Sequence, residues 1–244
     1  MNNKPFAIIT GGTRGIGAAM ADHFENSGYS LMLTGTNPDD IATRNQTCGP
    51  NRRYIALDLA DAASLDRFLA HLNELPRLDV CINNAGINIV KPVDEATPED
   101  LDRINAVNYR APYLICQAAA RVMKRTGTGG HILNVASIWS VITKPNRSLY
   151  AGAKSGLVGM TRALAVDLAP DNILVNALSP GFTLTDMTKQ NLSEEERHDM
   201  AGQIPLGRIA DPAEMARVAA FLCSPDNTYL TGQNIVVDGG FTIT

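Results

Sequence analysis

The chain has 244 residues, 45% hydrophobic and 19% charged, with a net charge of -4, so it carries no basic excess that would mark a nucleic-acid surface. No stretch reaches the roughly 18 uninterrupted apolar residues of a membrane span, and Met1 to Pro5 lead into an apolar run without the h-region and cleavage site of a secretion signal. A cytoplasmic protein is expected, with neither nucleic acid nor membrane as partner. Cys48, Cys81, Cys116 and Cys223 stand far apart, with no C-x-x-C spacing and no clustered histidine. No metal site is expected, and the thiols read mostly as core residues.

Short apolar runs alternate with longer segments of helical period, which is the pattern of repeated βαβ units around a parallel sheet. The first run, Phe6 to Thr10, enters Thr10-Gly11-Gly12-Thr13-Arg14-Gly15-Ile16-Gly17, and a helix is predicted over 16–26. Glycines there let the backbone bend and approach a ligand, and the helix N-terminus behind them favours a pyrophosphate. The spacing G-x-x-x-G-x-G departs from the G-x-G-x-x-G fingerprint, and tight packing would use the same glycines. Gly11, Thr13, Arg14, Gly15, Ile16 and Gly17 are thus the first candidate cofactor contacts.

The second run, Ser30 to Thr34, ends in Thr34-Gly35-Thr36-Asn37, where recognition of a free ribose would use a carboxylate. Asp39 and Asp40 come several residues late, while Arg14, Thr36 and Asn37 are placed to meet a 2'-phosphate. NADP(H) is therefore expected ahead of NAD(H), which stays open. The third run, Arg53 to Leu57, closes on Asp58-Leu59 before a predicted helix over 62–75. The fourth, Val80 to Asn83, closes on Asn83-Asn84-Ala85-Gly86; both are strand ends where ligands bind in such sheets, although the second also reads as a plain turn.

A long helix over 98–124, opened by Thr97-Pro98, carries Asn108 in its interior, where asparagine is a poor helix former. The fifth run, His131 to Ala136, delivers Ser137, and a helix over 150–168 puts Tyr150 and Lys154 at i and i+4 on one face. A phenol titrates near ~10, and an adjacent ammonium favours its anion, so the pair can exchange protons at neutral pH. By itself the spacing is more often that of a solvated helix face. The sixth run, Leu174 to Leu178, precedes Ser179-Pro180-Gly181, and the polar segment Thr188 to Gly202 reads as a flap. A helix over 212–222, opened by Asp211-Pro212, and a seventh run, Asn234 to Val237, complete the pattern.

Taken together, Thr10 to Gly17, Asp58-Leu59, Asn83 to Gly86, Asn108, Ser137, Tyr150 with Lys154, Ser179 to Gly181 with Thr183 and Thr185, and Ile235 to Gly240 resemble the short-chain dehydrogenase/reductase family over nearly the whole chain. The fold expected is one doubly wound Rossmann-type α/β domain over 1–244, a seven-stranded parallel sheet with helices on both faces and its own catalytic site. The resemblance implies a catalytic tetrad of Asn108, Ser137, Tyr150 and Lys154, with Asn108 holding a water that links Lys154 to solvent. It also implies adenine contacts near Asp58 and Leu59, contacts from Asn84, Ala85 and Gly86, nicotinamide contacts around Pro180, Gly181, Thr183 and Thr185, and a homotetramer. Ser137 would hold the substrate oxygen, Tyr150 would exchange its proton, and Lys154 would lower the phenol pKa and bind the nicotinamide ribose.

Within the family the chain is similar to bacterial 3-oxoacyl-(acyl carrier protein) reductases, through Thr34-Gly35-Thr36, Thr185-Asp186-Met187 and Ile204-Pro205-Leu206-Gly207-Arg208. That implies reduction of a 3-oxoacyl thioester. Those reductases present arginines to the acidic carrier ahead of the fifth and sixth strands, whereas Thr128-Gly129-Gly130 and Asp171-Asn172 stand here, with Lys124 and Arg125 nearby. Asn88, Trp139, Arg147, Phe182 and Met187 are the pocket candidates. A lone tryptophan among polar groups suits a sugar or small ketone, and equally a packed position. Arg147 suits a carboxylate or phosphate, or an exposed loop. A non-catalytic NADP(H)-binding sensor and a structural subunit are the readings outside enzymology.

Overall fold

Both faces of each central apolar run are covered, which is why these segments are continuous in hydrophobicity rather than alternating. In the computed structural model, which describes residues 4–185, 188 and 193–244, Ile8 packs into one layer of side chains while Ala7 and Ile9 pack into the other. The strands are β1 (Phe6–Ile9), β2 (Ser30–Gly35), β3 (Arg52–Ala56), β4 (Val80–Asn83), β5 (Gly130–Val135), β6 (Ile173–Pro180) and β7 (Asn234–Val237). They form one parallel sheet in the order β3-β2-β1-β4-β5-β6-β7. The expected seven-stranded doubly wound sheet is the one observed.

One face is covered by α1 (Gly15–Asn26), α2 (Pro38–Thr47) and α8 (Pro212–Leu222), through Met20, Phe24, Ile41 and Met215. The other is covered by α3 (Ala62–Asn73), α5 (Ala111–Thr126) and α6 (Ser148–Leu168), through Phe68, Ile115 and Leu157. Each such large side chain contributes about 1.5–3 kcal/mol on burial. Because β1 is followed on one side by β2 and β3 and on the other by β4, the chain reverses direction between β1 and β4. A crevice opens there beyond the carboxyl ends of the strands.

Three segments depart from the sequence expectation. Helix α2 was not predicted, since Ile41 is its only buried residue and no apolar stripe announces it; its start is local, with Asn37 Oδ1 accepting from the Asp39 and Asp40 amides and Pro38 in the first turn. The helix expected over 98–124 is broken into α4 (Pro98–Asn105), a π-helical turn (Ala106–Arg110) and α5. Pro112 has no N–H, so the Asn108 carbonyl loses its i+4 donor. Within the segment read as a flap, Ser193 and Glu196 form a capping box for α7 (Glu194–Gly202), none of whose residues is buried, while 189–192 lie outside the described residues. Among the described residues no helix is long and apolar enough to cross a membrane.

Candidate functional site

The glycine turn after β1 is shaped by contacts from β4. Thr10 Oγ1 accepts from the Asn84 and Ala85 amides at 3.0 Å each, and Asn84 Nδ2 donates to the carbonyls of Thr10 (2.9 Å) and Gly11 (3.2 Å). A Cβ on Gly17 would lie 2.2 Å from the Gly11 carbonyl oxygen, so that glycine is demanded by packing. Gly15 differs: its φ is +55° and a Cβ would meet only the Thr185 side chain, at 3.3 Å. Helix α1 then starts without a side-chain cap and without an acidic residue in its first turn, whereas α2, α3, α4, α7 and α8 are capped by Asn37, Asp61, Thr97, Ser193 and Asp211. The uncapped amides suit a dinucleotide pyrophosphate, with Gly15 leaving room for close approach.

Arg14, Thr36 and Asn37 are all exposed at this rim, and the Asn37 carbonyl is engaged at the start of α2. Of the late carboxylates, Asp40 pairs with Arg44 at 2.8 Å, so it is directed along its own helix. Asp58 is exposed and caps Ala60 N, and Leu59 is buried. Across the crevice, a Cβ on Gly181 would lie 2.7 Å from Asp238 Cα, and Thr183 Oγ1 donates to the Gly181 carbonyl. Pro180 closes β6, and Thr185 shares a hydroxyl contact of 3.1 Å with Thr188.

Asn108, Ser137, Tyr150 and Lys154 gather at the carboxyl ends of β4 and β5. Asn108 is fully buried and its amide is spent on one residue: Oδ1 accepts from Ile87 N (2.9 Å) and Nδ2 donates to Ile87 O (2.8 Å). Gly86 lies against both ends of the group, since a Cβ there would stand 3.2 Å from Asn108 Oδ1 and 3.4 Å from Lys154 Nζ. Lys154 is 3% exposed and donates to the Val135 carbonyl at 2.6 Å. Burial pulls its pKa down to about 8.

Tyr150 is held above its ordinary pKa by burial, with a Ser137 hydrogen bond and the Arg147 charge acting in the opposite direction. Lys154 Nζ stands over the Tyr150 ring, 5.8 Å from its centroid. The downshift expected from Lys154 is therefore not the net balance here: the ammonium is committed to Val135, and desolvation of the phenol dominates. Ser137 is itself positioned by the turn that follows, its Oγ accepting from Trp139 N at 3.3 Å and its carbonyl accepting from Ser140 Oγ at 2.6 Å.

The pocket candidates divide. Trp139 is 9% exposed and packs edge-on against Phe182 at 6.3 Å, which packs against Phe241 at 5.0 Å, so the tryptophan offers no open platform for a sugar ring. Lys144 and Arg147 stand over its ring at 5.3 and 5.5 Å. Asn88 is exposed, and Met187 lies outside the described residues. Sequence reasoning missed the polar chain beneath the site. Asn83 donates to Asn134 Oδ1 (2.9 Å) and Asn134 donates to Thr161 Oγ1 (2.9 Å), tying β4 and β5 to α6. Asn134 is a single polar letter inside an apolar run, whereas Asn83 at the end of its strand and Thr161 beside Arg162 carry no such signal. Among the described residues no group of three or more His, Cys, Asp or Glu could hold a metal.

A glycine-rich strand-turn-helix at the reversal of a parallel sheet, with a buried lysine and a half-buried tyrosine near the ends of the neighbouring strands, is an arrangement suited to a dinucleotide. A family model described as enoyl-(acyl carrier protein) reductase matches residues 11–242. The chain is 34% identical over 241 residues to an NAD-dependent glycerol dehydrogenase of Listeria innocua, covering 97% of this chain and 93% of the relative. It is 35% identical over 242 residues to the 3-oxoacyl-[acyl-carrier-protein] reductase FabG of Chlamydia trachomatis, covering 96% of each. A solved structure described as a short chain dehydrogenase/reductase family protein superposes with a TM-score of 0.90 at 30% identity, over 100% of both chains. The chain belongs to the short-chain dehydrogenase/reductase family of oxidoreductases, which bind a nicotinamide cofactor and usually a small-molecule substrate.

Proposed function

We propose that the chain is an NADP(H)-dependent oxidoreductase that interconverts a ketone and a secondary alcohol within one domain, with Tyr150 as the proton donor and acceptor. The observation that carries this reading is the convergence of Ser137, Tyr150, Lys154 and Asn108 on the crevice bordered by the uncapped start of α1. The bound cofactor supplies or accepts a hydride at nicotinamide C4. Ser137 Oγ holds the substrate oxygen, and Tyr150 Oη gives that oxygen a proton in reduction or takes one in oxidation. Lys154, over the phenol ring, and Asn108, whose carbonyl has no i+4 donor because residue 112 is proline, would supply the route by which the phenol proton is replaced. NADP(H) is favoured because no carboxylate closes β2, while the NAD dependence in the name of the Listeria relative marks NAD(H) as the competing choice.

Replacing Tyr150 by Phe is expected to lower turnover by about 10²–10⁴-fold, with cofactor affinity measured by fluorescence titration nearly unchanged. Near-normal turnover in that variant would remove Tyr150 from the mechanism. A non-catalytic sensor would have no use for a phenol set against Ser137 and Lys154.

Likeness to FabG favours a 3-oxoacyl thioester as substrate. The surface that would meet an acidic carrier argues for the alternative, a sugar or small ketone: Lys124 pairs with Asp171 at 2.5 Å, and Arg125 donates to the carbonyls of Asn73 and Leu75. Both bases near the arginine positions are thus already engaged. If the small-substrate reading holds, acetoacetyl-carrier protein is reduced no more efficiently than a short thioester mimic; a large advantage for the carrier-bound substrate restores the first reading. The assembly proposed is a cytoplasmic homotetramer.

A further inference from the structure

Arg147 precedes the first turn of α6, three residues before Tyr150, yet it does not serve that helix: its side chain makes no capping hydrogen bond. Its Nε is buried and, among the described residues, has no hydrogen-bond partner. Ion pairs among the described residues take Arg44, Arg52, Arg77, Arg208, Lys91 and Lys124 to carboxylates, and neither Arg147 nor Lys144 has one. Both cations instead lie over the ring of Trp139, at 5.5 and 5.3 Å. A ring face recovers only part of what a guanidinium loses on leaving water, and an unpaired buried donor adds a further penalty.

An unsatisfied donor on a cation beside a reactive centre calls for an explanation in function. Arg147 is close enough to the phenol for its charge to favour the tyrosinate. Its immediate neighbours are the aromatic ring of Trp139 and the Ser137 turn on which that ring sits, an arrangement with cationic and apolar walls. A guanidinium presents paired N–H donors in one plane that match the two coplanar oxygens of a carboxylate. A phosphate ester can use the same pair of donors, but its dianion leaves a further charged oxygen that a single guanidinium does not pair.

We propose that Arg147 is the anion-recognition residue of the substrate site, and that the substrate is a small keto or hydroxy acid whose carboxylate is held by Arg147 while its carbonyl or alcohol oxygen lies between Ser137 and Tyr150. This rests on the reading of Tyr150 as proton donor and narrows the substrate within it. In the reducing direction the carbonyl carbon gains a hydride from the reduced nicotinamide and the carbonyl oxygen gains the Tyr150 proton. The product is a hydroxy acid, and the carboxylate is unchanged. Lys144 adds a second positive charge to the same wall without being needed for the bidentate contact.

The test compares wild type, Arg147→Lys and Arg147→Gln on a set of short keto acids and their neutral amides at saturating NADPH. Wild type is expected to prefer an acid over its amide by about 10- to 100-fold in kcat/KM, chiefly through KM. In Arg147→Gln that ratio falls toward one, and Arg147→Lys restores part of it. Equal efficiency for acid and amide in wild type, retention of the preference in Arg147→Gln, or a phosphorylated ketone outperforming every keto acid would each overturn the proposal.

Trp139 is the only tryptophan, so its emission gives a second readout that needs no turnover. Titrating the NADP-loaded protein with hydroxy acids is expected to give a saturable change that the amides do not give and that Arg147→Gln abolishes. That change without turnover of any carbonyl compound would keep the Arg147 subsite and overturn the oxidoreductase reading instead. Should Arg147→Gln fail to fold, Arg147→Lys and the wild-type titration still decide the matter.

Discussion

Lys154 shows how much a single position in the site is asked to tolerate. Its ammonium is buried, hydrogen-bonded only to the Val135 carbonyl, and has a pKa of about 8. An exposed lysine in the unfolded chain titrates near ~10.4. Between these values the unfolded state binds more protons than the folded one, so stability rises with pH across that window and the full penalty applies below it. Relative to Lys154→Met, which has no such titration, the wild-type protein is expected to gain roughly 2 kcal/mol between pH 7.5 and 10, read from urea melts at each pH. A flat difference would mean that the lysine keeps an ordinary pKa in the fold. A group retained at such a penalty next to Tyr150 is more readily explained by chemistry than by packing. Arg147 presents the same logic, with an Nε that has no partner among the described residues.

At the scale of elements, the sequence pattern succeeds where burial is two-sided or periodic and fails where a helix rests on caps. The β1 run and the amphipathic helix α3, with Leu65, Phe68 and Leu72 inward, announce themselves. Helix α2 does not, and its position matters for the cofactor, because it places Thr36 and Asn37 at the junction where β2 meets a helix start. A carboxylate introduced at that junction would repel a 2'-phosphate and accept from free ribose hydroxyls. Thr36→Asp is accordingly expected to shift the ratio of kcat/KM values from NADPH toward NADH by at least about tenfold, measured as initial rates with each cofactor. An unchanged ratio would take the end of β2 out of the specificity argument. The broken α4–α5 segment carries a parallel lesson, since the helical period over 98–124 does not show that Pro112 removes the i+4 donor of the Asn108 carbonyl and leaves a π-helical turn.

At the scale of the molecule, the parallel sheet delivers the ends of β1, β4, β5 and β6 to one edge, so residues from Thr10 to Thr185 reach a single crevice. The outer surface of the α4, α5 and α6 region leaves Leu101, Tyr109, Tyr113 and Val166 exposed, the last at 76%. Exposed apolar side chains on helices are suited to cover by further copies of the chain. Light scattering is expected to report four copies of the 26.1 kDa chain, and Tyr113→Arg to shift the population toward smaller species. A wild-type monomer at micromolar concentration would overturn the tetramer.

The sequence by itself determined the order of the strands, the helices with an apolar stripe, the glycine turn, and the shared helix face of Tyr150 and Lys154. Each of these depends on residues within a few positions of one another, where period and turn chemistry are written locally. Only the tertiary structure decided that Asn84 clamps the glycine turn through Thr10, that Asn108 is spent on Ile87, and that Lys154 is spent on Val135. It also decided that Trp139 is packed within its own chain and that Arg147 over it has no carboxylate partner among the described residues. These contacts join positions far apart in the chain, or depend on how far water is excluded from a side chain, and neither quantity is carried by local pattern.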